Sequence, residues 1–131
     1  MITGIIYDLD GTIVDTEELH RQAWERTAQD FSLGFSGELI LSASKGISSK
    51  KTLERLLPKE QYDIIPQAAE AKFTYLMEET AKGEVQILHG FPETLDQLLR
   101  RNLTVGVCTS AREEFVETLL KNVPQLNPLQ G

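Results

Sequence analysis

The sequence is short of several things, and each shortage narrows what it can be. It holds one cysteine, Cys108, so no disulfide can form within the chain, and a reducing, cytoplasmic setting is expected. Cys108 itself lies in an apolar run and is expected in the core. No apolar stretch reaches the length that spans a bilayer, and residues 1–4 lack the basic start of a secretory leader. Positive charge is scarce: 13 Lys and Arg stand against 20 Asp and Glu, a formal net charge of -7. That balance argues against nucleic acid or an anionic membrane as a partner. It also means that an anionic substrate would need local positive charge, most simply a metal ion. Internal repeats and low-complexity tracts are absent. What remains, 131 residues of which 40% are hydrophobic and 25% charged, is ordinary for a globular protein.

The most informative stretch lies almost at the start. An apolar run from Ile2 to Tyr7 ends abruptly in Asp8-Leu9-Asp10-Gly11-Thr12. Such a run bounded by a turn signal reads as a buried strand, with both carboxylates where the strand opens into a loop. Gly11 supplies backbone freedom there. Two like charges so close together are unfavourable unless a cation or a shared proton compensates them, which makes the pair a candidate active site. The plainer reading is a solvated turn. A calcium loop starting at Asp8 fails on its own spacing, since Ile13 stands where Gly is needed and Leu19 where a bidentate Glu is needed.

After Val14 the pattern turns helical. Asp15 can cap the next helix with Glu18 completing a capping-box-like pair, and Leu19, Ala23, Thr27 and Phe31 form one stripe with Trp24 beside it. Residues 32–37 read as a loop, 38–42 as a short helix, and 44–48 as a second loop, with Ser48 or Ser49 capping a helix that stops before Pro58. A longer helix runs from Pro66 to about Lys82, with Ala69, Phe73, Leu76 and Thr80 on one face and Gly83 as its stop. Pro92 opens another helix, with Leu95, Leu98 and Leu99 inward and Arg100-Arg101 suited to its C-terminal dipole. Leu103 to Cys108 reads as a second buried strand ending at Thr109-Ser110. A helix from Ala111 to about Asn122 follows, with Phe115 and Leu119 on one face, before residues 123–131 lose regular pattern.

Strands separated by helices pair in parallel, so the loops after both strands should meet at one sheet edge, where open α/β sheets bind ligands. Thr109 would then face Asp8 and could hydrogen-bond a phosphoryl oxygen, with the Ser110 N–H at a helix start adding to it. A plain N-cap at Thr109 or Ser110 is the alternative.

Asp8-Leu9-Asp10-Gly11-Thr12 after an apolar strand resembles the first motif of the haloacid dehalogenase (HAD) superfamily, and an apolar strand ending in Thr109 resembles its second. The helical insertion resembles the cap of the branch that includes β-phosphoglucomutase and phosphoglycolate phosphatase. Asp15-Thr16, His20, Ala23-Trp24, Lys45-Gly46-Ile47-Ser48 and His89-Gly90-Phe91-Pro92 match positions in that branch. The resemblance implies an α/β fold, a HAD-like Rossmannoid core with a parallel sheet, interrupted by an all-helical cap. The core would be 1–15 and 83–131, the cap 16–82. It implies that Asp8 is the nucleophile that forms an aspartyl phosphate and that Asp10 protonates the leaving oxygen and later activates water. Asp8 and the Asp10 carbonyl would ligate Mg²⁺, while Gly11, Thr109 and Ser110 would surround the phosphoryl group. His20 would orient Asp10 or touch the substrate, and Lys45 would face the substrate from the cap.

The chemistry requires such parts. A carboxylate attacking an anionic phosphate needs a metal ion to cancel the repulsion, and the acid must lie close to the nucleophile but reach the leaving group. Relatives that displace halide resemble this motif without the second Asp, so Asp10 favours phosphoryl transfer to or from a small phosphorylated metabolite. The mutase of this branch has an Arg where Ser49 stands, and Thr12 fits the phosphatases better, so a phosphatase is expected and a sugar-phosphate mutase is the alternative. The third-motif Lys and the fourth, acidic motif find no counterpart in residues 123–131. The expectation is therefore a truncated core that is poorly active and marginally stable by itself, with self-association or a missing C-terminal segment completing it, and a non-catalytic binding role as the alternative.

Overall fold

The computed structural model of the chain describes residues 1–82 and 85–129. Two compact units result, Met1–Glu17 with Thr80–Gly131, and Glu18–Glu79. Gly83, expected to end a helix, lies outside the described residues.

The first unit is built on strands β1 (Gly4–Tyr7) and β4 (Thr104–Val107), which pair in parallel with Ile5 opposite Val105 and Tyr7 opposite Val107. A second pair, β2 (Val14–Asp15) with β3 (Gln86–Ile87), is antiparallel. These two-residue strands are too short to leave a periodic trace in the sequence. Helix α5 (Phe91–Arg100) packs on β4, and Tyr7 meets Phe91 edge to face with centroids 5.2 Å apart. Helix α6 (Glu113–Asn122) buries Phe115 and Leu119.

Four expectations for this unit are corrected. β1 is not buried on both faces: Ile5 and Tyr7 are half-buried, but Ile6 is 75% exposed and Ile2 74%. A strand's alternate residues point to opposite faces, and no described element covers the one carrying Ile6. Leu99 is 42% exposed, because the buried stripe of α5 runs through Phe91 and Leu95. Cys108 is exposed rather than in the core, since β4 ends at Val107 and Cys108 already belongs to the loop. Residues 124–129 do not lose structure: a 3₁₀ helix (Pro124–Leu129) packs against α6 and β4, with Val123 and Leu126 buried.

The second unit is helical. It comprises the body of α1 (Glu17–Asp30), then α2 (Gly37–Ala43), α3 (Ser49–Leu56), a 3₁₀ turn (Lys59–Ile64) and most of α4 (Ile65–Ala81). Its core gathers Trp24, Ala28, Leu33, Ile40, Leu53, Leu57, Ile65 and Ala68. Serines cap two of the helices: the Leu39 N–H donates to Ser36 Oγ at 3.1 Å and the Lys51 N–H to Ser48 Oγ at 3.2 Å. The capping box at α1 does not close, because Glu18 turns instead to Arg21 at 2.5 Å. On α4 the buried stripe is Ala68, Lys72, Leu76 and Thr80, one position displaced from the expected Ala69 and Phe73.

Gly37 fixes how closely α2 approaches α1. Its N–H donates to Glu25 Oε2 at 2.5 Å, and a Cβ there would stand 2.6 Å from the Arg21 carbonyl oxygen and 2.7 Å from the Glu25 nitrogen. Both are backbone atoms of a helix and cannot swing aside. Gly37→Ala is therefore expected to cost about 1–3 kcal/mol, as overpacking typically does. Urea unfolding followed by fluorescence of Trp24, the single tryptophan, measures it, and an unchanged midpoint would contradict the close contact.

Candidate functional site

The loop after β1 folds on itself through three buried side chains. Leu9, Ile13 and Val14 are at most 2% exposed and pull the chain inward, leaving Asp8, Asp10, Gly11 and Thr12 at the surface. The Leu9 carbonyl accepts from the Ile13 N–H at 2.9 Å and, more loosely, from Thr12 and Val14 at 3.3 Å. Gly11, at φ +79, donates its N–H to the Val14 carbonyl at 2.9 Å, a left-handed turn that glycine enters without strain. The Leu88 N–H donates to the Ile13 carbonyl at 3.0 Å, tying the loop to the segment after β3. The Asp10 side chain is also held: Thr16 Oγ1 donates to Asp10 Oδ1 at 2.6 Å.

The second expected part, the loop after β4, leaves the sheet at the same end. The Cys108 N–H donates to the Tyr7 carbonyl at 2.8 Å, so Cys108 lies level with Asp8 and Thr109 one residue further on. Thr109 Oγ1 accepts from the Ala111 N–H at 3.1 Å, a local turn. Ser110 does not begin a helix, as expected of it. The N-cap of α6 is Arg112, two residues later, because the 109–111 turn delays helix entry. Beside Thr12, a cleft of about 220 Å³ is lined by Tyr7, His89, Gly90, Phe91 and Thr94. Arg100 pairs with Asp96 one turn back at 2.9 Å, as a helix-end residue does.

Two carboxylates following an apolar strand, a glycine turn, and a second parallel strand ending in Thr are thus brought to one sheet edge. The sequence profile of the haloacid dehalogenase-like hydrolases matches residues 5–129. The chain belongs to this family.

Among proteins of the haloacid dehalogenase-like family, the chain is 30% identical over 123 residues to a β-phosphoglucomutase of Bacillus subtilis, covering 83% of this chain and 51% of the mutase. It is 29% identical over 118 residues to the pyrophosphatase PpaX of Oceanobacillus iheyensis, covering 88% of this chain and 51% of that protein. A haloacid dehalogenase-like hydrolase of Streptococcus pneumoniae shares the fold at a TM-score of 0.82 with 21% identity, over 99% of this chain and 60% of that one. The fold is accordingly the HAD-like α/β architecture with a helical cap. The chain spans about half the length of the curated relatives it matches.

His20 and Lys45 lie in the helical unit. Lys45 is exposed in the turn before Gly46, whose φ is +76. His20, on α1, is half-buried, and its Nδ1 meets Lys72 Nζ at 2.8 Å. An ammonium has no acceptor, so Nδ1 accepts and the ring proton sits on Nε2. Lys72 is 7% exposed, with Nζ 5.2 Å from the centroid of the Trp24 ring. Sequence reasoning missed Lys72. The available signal was a lysine four residues from both Ala68 and Leu76 on the inward stripe of α4.

Burial, and then the Lys72 charge, hold the His20 ring well below its ordinary 6.5, at about 3. The unfolded chain therefore takes up this proton between pH 6.5 and 3 while the folded chain does not. Stability is fully present above about pH 6.5 and is lost as the pH falls toward 3. Between pH 7 and 5 this amounts to about 1–2 kcal/mol. Urea unfolding at both pH values, read by Trp24 fluorescence, should show a smaller loss in His20→Gln than in the wild type. Equal losses would remove the linkage.

Asp8 and Asp10 offer hard oxygen donors. Mg²⁺ takes one or two carboxylates and completes its shell with carbonyl, water and substrate phosphate oxygens, so the Asp8 carboxylate and the Asp10 backbone carbonyl suit it. Among the described residues no group of three or more His, Cys, Asp or Glu side chains gathers in the way an all-protein cage for a softer metal needs.

Proposed function

We propose that the protein is a phosphatase of the HAD type acting on a small phosphorylated metabolite. The observation that carries this reading is the Asp8–Asp10 pair, held at the end of a parallel strand with Leu9 buried between them. Asp8 is the nucleophile: it attacks phosphorus and becomes an aspartyl phosphate as the ester P–O bond breaks. Asp10 gives its proton to the departing oxygen and takes one from water in the second half, returning Asp8 to a free carboxylate. Thr109 and Ser110, with the Gly11 turn, flank the phosphoryl group. Phosphatases of this superfamily generally use Mg²⁺. Here Asp8 and Asp10 would hold it, and it would offset charge between the nucleophile and the phosphoryl oxygens.

The helical unit is read as the cap, with His20 and Lys45 serving the substrate side, and the single cysteine suits a cytoplasmic setting. A mutase is the second reading, favoured by the 30% identity to a β-phosphoglucomutase. Against it stands Ser49, at the first position of α3 where the mutase branch carries Arg. Incubation with Mg²⁺ and sugar monophosphates separates the two. Release of inorganic phosphate supports the phosphatase, and an isomerised sugar phosphate without net release rejects it.

A further inference from the structure

We propose that the outward face of α3 and the turn after it bind a small polyanion, a molecule with consecutive phosphoryl groups, through Lys50, Lys51, Arg55 and Lys59. The face lies within the helical unit and uses none of the residues assigned to the chemistry above.

Positive charge is scarce in this chain and unevenly placed. Five of the 13 Lys and Arg fall within residues 45–59, beside a single carboxylate, Glu54. Elsewhere arginines stand against acids: Arg21 meets Glu18 at 2.5 Å, Arg26 meets Glu78 at 2.8 Å and Arg100 meets Asp96 at 2.9 Å. Lys50, Lys51, Arg55 and Lys59 are exposed, and among the described residues no side chain pairs with any of them. Helix stability does not account for the two lysines. They stand in the first turn of α3, which carries no acidic residue, and a cation there opposes the helix dipole. Packing does not account for them either, since α3 buries Thr52 and Leu53.

The backbone beneath these cations is held at both ends. Thr52 Oγ1 donates to the Ser48 carbonyl at 2.8 Å, and the Lys51 N–H donates to Ser48 Oγ at 3.2 Å. At the far end the Leu57 N–H donates to the Leu53 carbonyl at 2.9 Å, and Tyr62 Oη donates to the Glu54 carbonyl at 2.6 Å. That last bond ties the 3₁₀ turn, which opens with Lys59, back to the end of α3. A ligand therefore meets a formed scaffold and has only side chains to order.

Charge and size select the ligand. A formal net charge of -7 repels anions from the molecule as a whole. Screening confines the pull of the cluster to roughly 8 Å at physiological salt. A nucleic acid or an anionic bilayer extends past that distance and meets the acidic remainder, whereas a small polyanion fits inside it. Lys51 and Arg55 are one turn apart, about 5–6 Å between Cβ atoms, so their heads reach neighbouring phosphoryl groups of one molecule. The Arg55 guanidinium can donate two parallel bonds to one group while the lysines neutralise the next. Ser49 marks the position at which the mutase branch carries Arg. Each helical residue turns by about 100°, which puts Lys51 and Arg55 on nearly the opposite side of α3 from Ser49, so the two positions serve different ligand groups.

The test titrates the full chain with inorganic tripolyphosphate, in EDTA so that no divalent metal gathers phosphate at Asp8 and Asp10. Backbone amide and Arg55 Nε–H NMR shifts report the site. Saturable shifts centred on residues 48–62 are expected in the wild type. Lys51→Gln/Arg55→Gln should raise Kd about 10-fold or more through loss of two charge-assisted contacts. Arg100→Gln/Arg101→Gln removes as much charge at the end of α5 and should shift Kd by less than about 2-fold, since distant charges are screened. Shifts that do not saturate, shifts centred elsewhere, or equal losses in the two double variants overturn the site. Orthophosphate bound as tightly as tripolyphosphate overturns the requirement for consecutive phosphoryl groups. Tighter binding of octaglutamate or of a single-stranded RNA overturns the assignment to a small ligand. Trp24 fluorescence checks that each variant is folded. Should the α3 variant not fold, the wild type decides: saturable shifts at α3 that weaken in high salt support the proposal, and their absence rejects it.

Discussion

In a protein that carries the later motifs as well, Asp8→Asn is expected to reduce phosphate release by on the order of 10⁵-fold, the scale on which loss of a covalent nucleophile acts. The amide keeps the shape of the carboxylate but has no anionic oxygen to attack phosphorus, and it is a weaker metal ligand. The fold should be untouched. Asp8 is exposed, and the loop is held by Leu9, Ile13 and Val14 and by the hydrogen bonds to the Leu9 and Val14 carbonyls, not by the Asp8 side chain. The measurement is phosphate release from a general phosphomonoester with Mg²⁺, together with the mass of acid-quenched protein. A phosphorylated species seen in the wild type and missing in Asp8→Asn fits the role. Undiminished turnover in the variant would remove Asp8 as nucleophile and the mechanism with it.

The parts of this molecule that were legible in the sequence are those whose signal is local. The apolar run into Asp8 and Asp10 marks a strand end because hydrophobicity and turn chemistry change within a few residues. Ser48 sits at a helix start, where a hydroxyl satisfies an otherwise unpaired N–H, and that cap is in place. Pairing of the first and last strands in parallel follows from the helices between them, and the β1–β4 ladder has that form. What could not be read depends on which surfaces meet. Leu99 and Ile6 are as apolar as Leu95 and Ile5, yet only packing decides which pair is covered. Val123 and Leu126 looked isolated among polar residues and prolines, but burial against α6 and β4 organises them.

At the site, the same division separates Asp10 from Thr16 and His20 from Lys72. The first member of each pair stands in a recognisable pattern. The second is defined by a contact six or 52 positions away, for which the sequence has no periodicity. Lys72 was hidden further by its charge, which places it on a solvent face by default. A buried ammonium needs compensation, and the His20 nitrogen and the Trp24 ring provide part of it. Burial, and then the lysine's charge at 2.8 Å, keep His20 neutral.

Asp10→Asn separates acid catalysis from phosphoryl acceptance, and its effect should depend on what leaves. An alkoxide departing from phosphorus needs a proton in the transition state, so turnover of an alkyl phosphate should fall by about 10²–10⁴-fold. A p-nitrophenolate is stable without that proton, and its departure should slow much less in the first half-reaction. The second half-reaction still needs a base for water, so the variant should accumulate the aspartyl phosphate on Asp8 when given an activated donor. Asn is close to Asp in shape, and its amide oxygen can still accept from the Thr16 hydroxyl that now meets Oδ1 at 2.6 Å, so lost activity would not trace to a rearranged loop. Burst kinetics with p-nitrophenyl phosphate, set beside steady-state turnover of the alkyl ester, give both numbers. Equal losses on the two substrates, with no burst and no phosphorylated protein, would show that Asp10 serves the metal or the fold and not the leaving group.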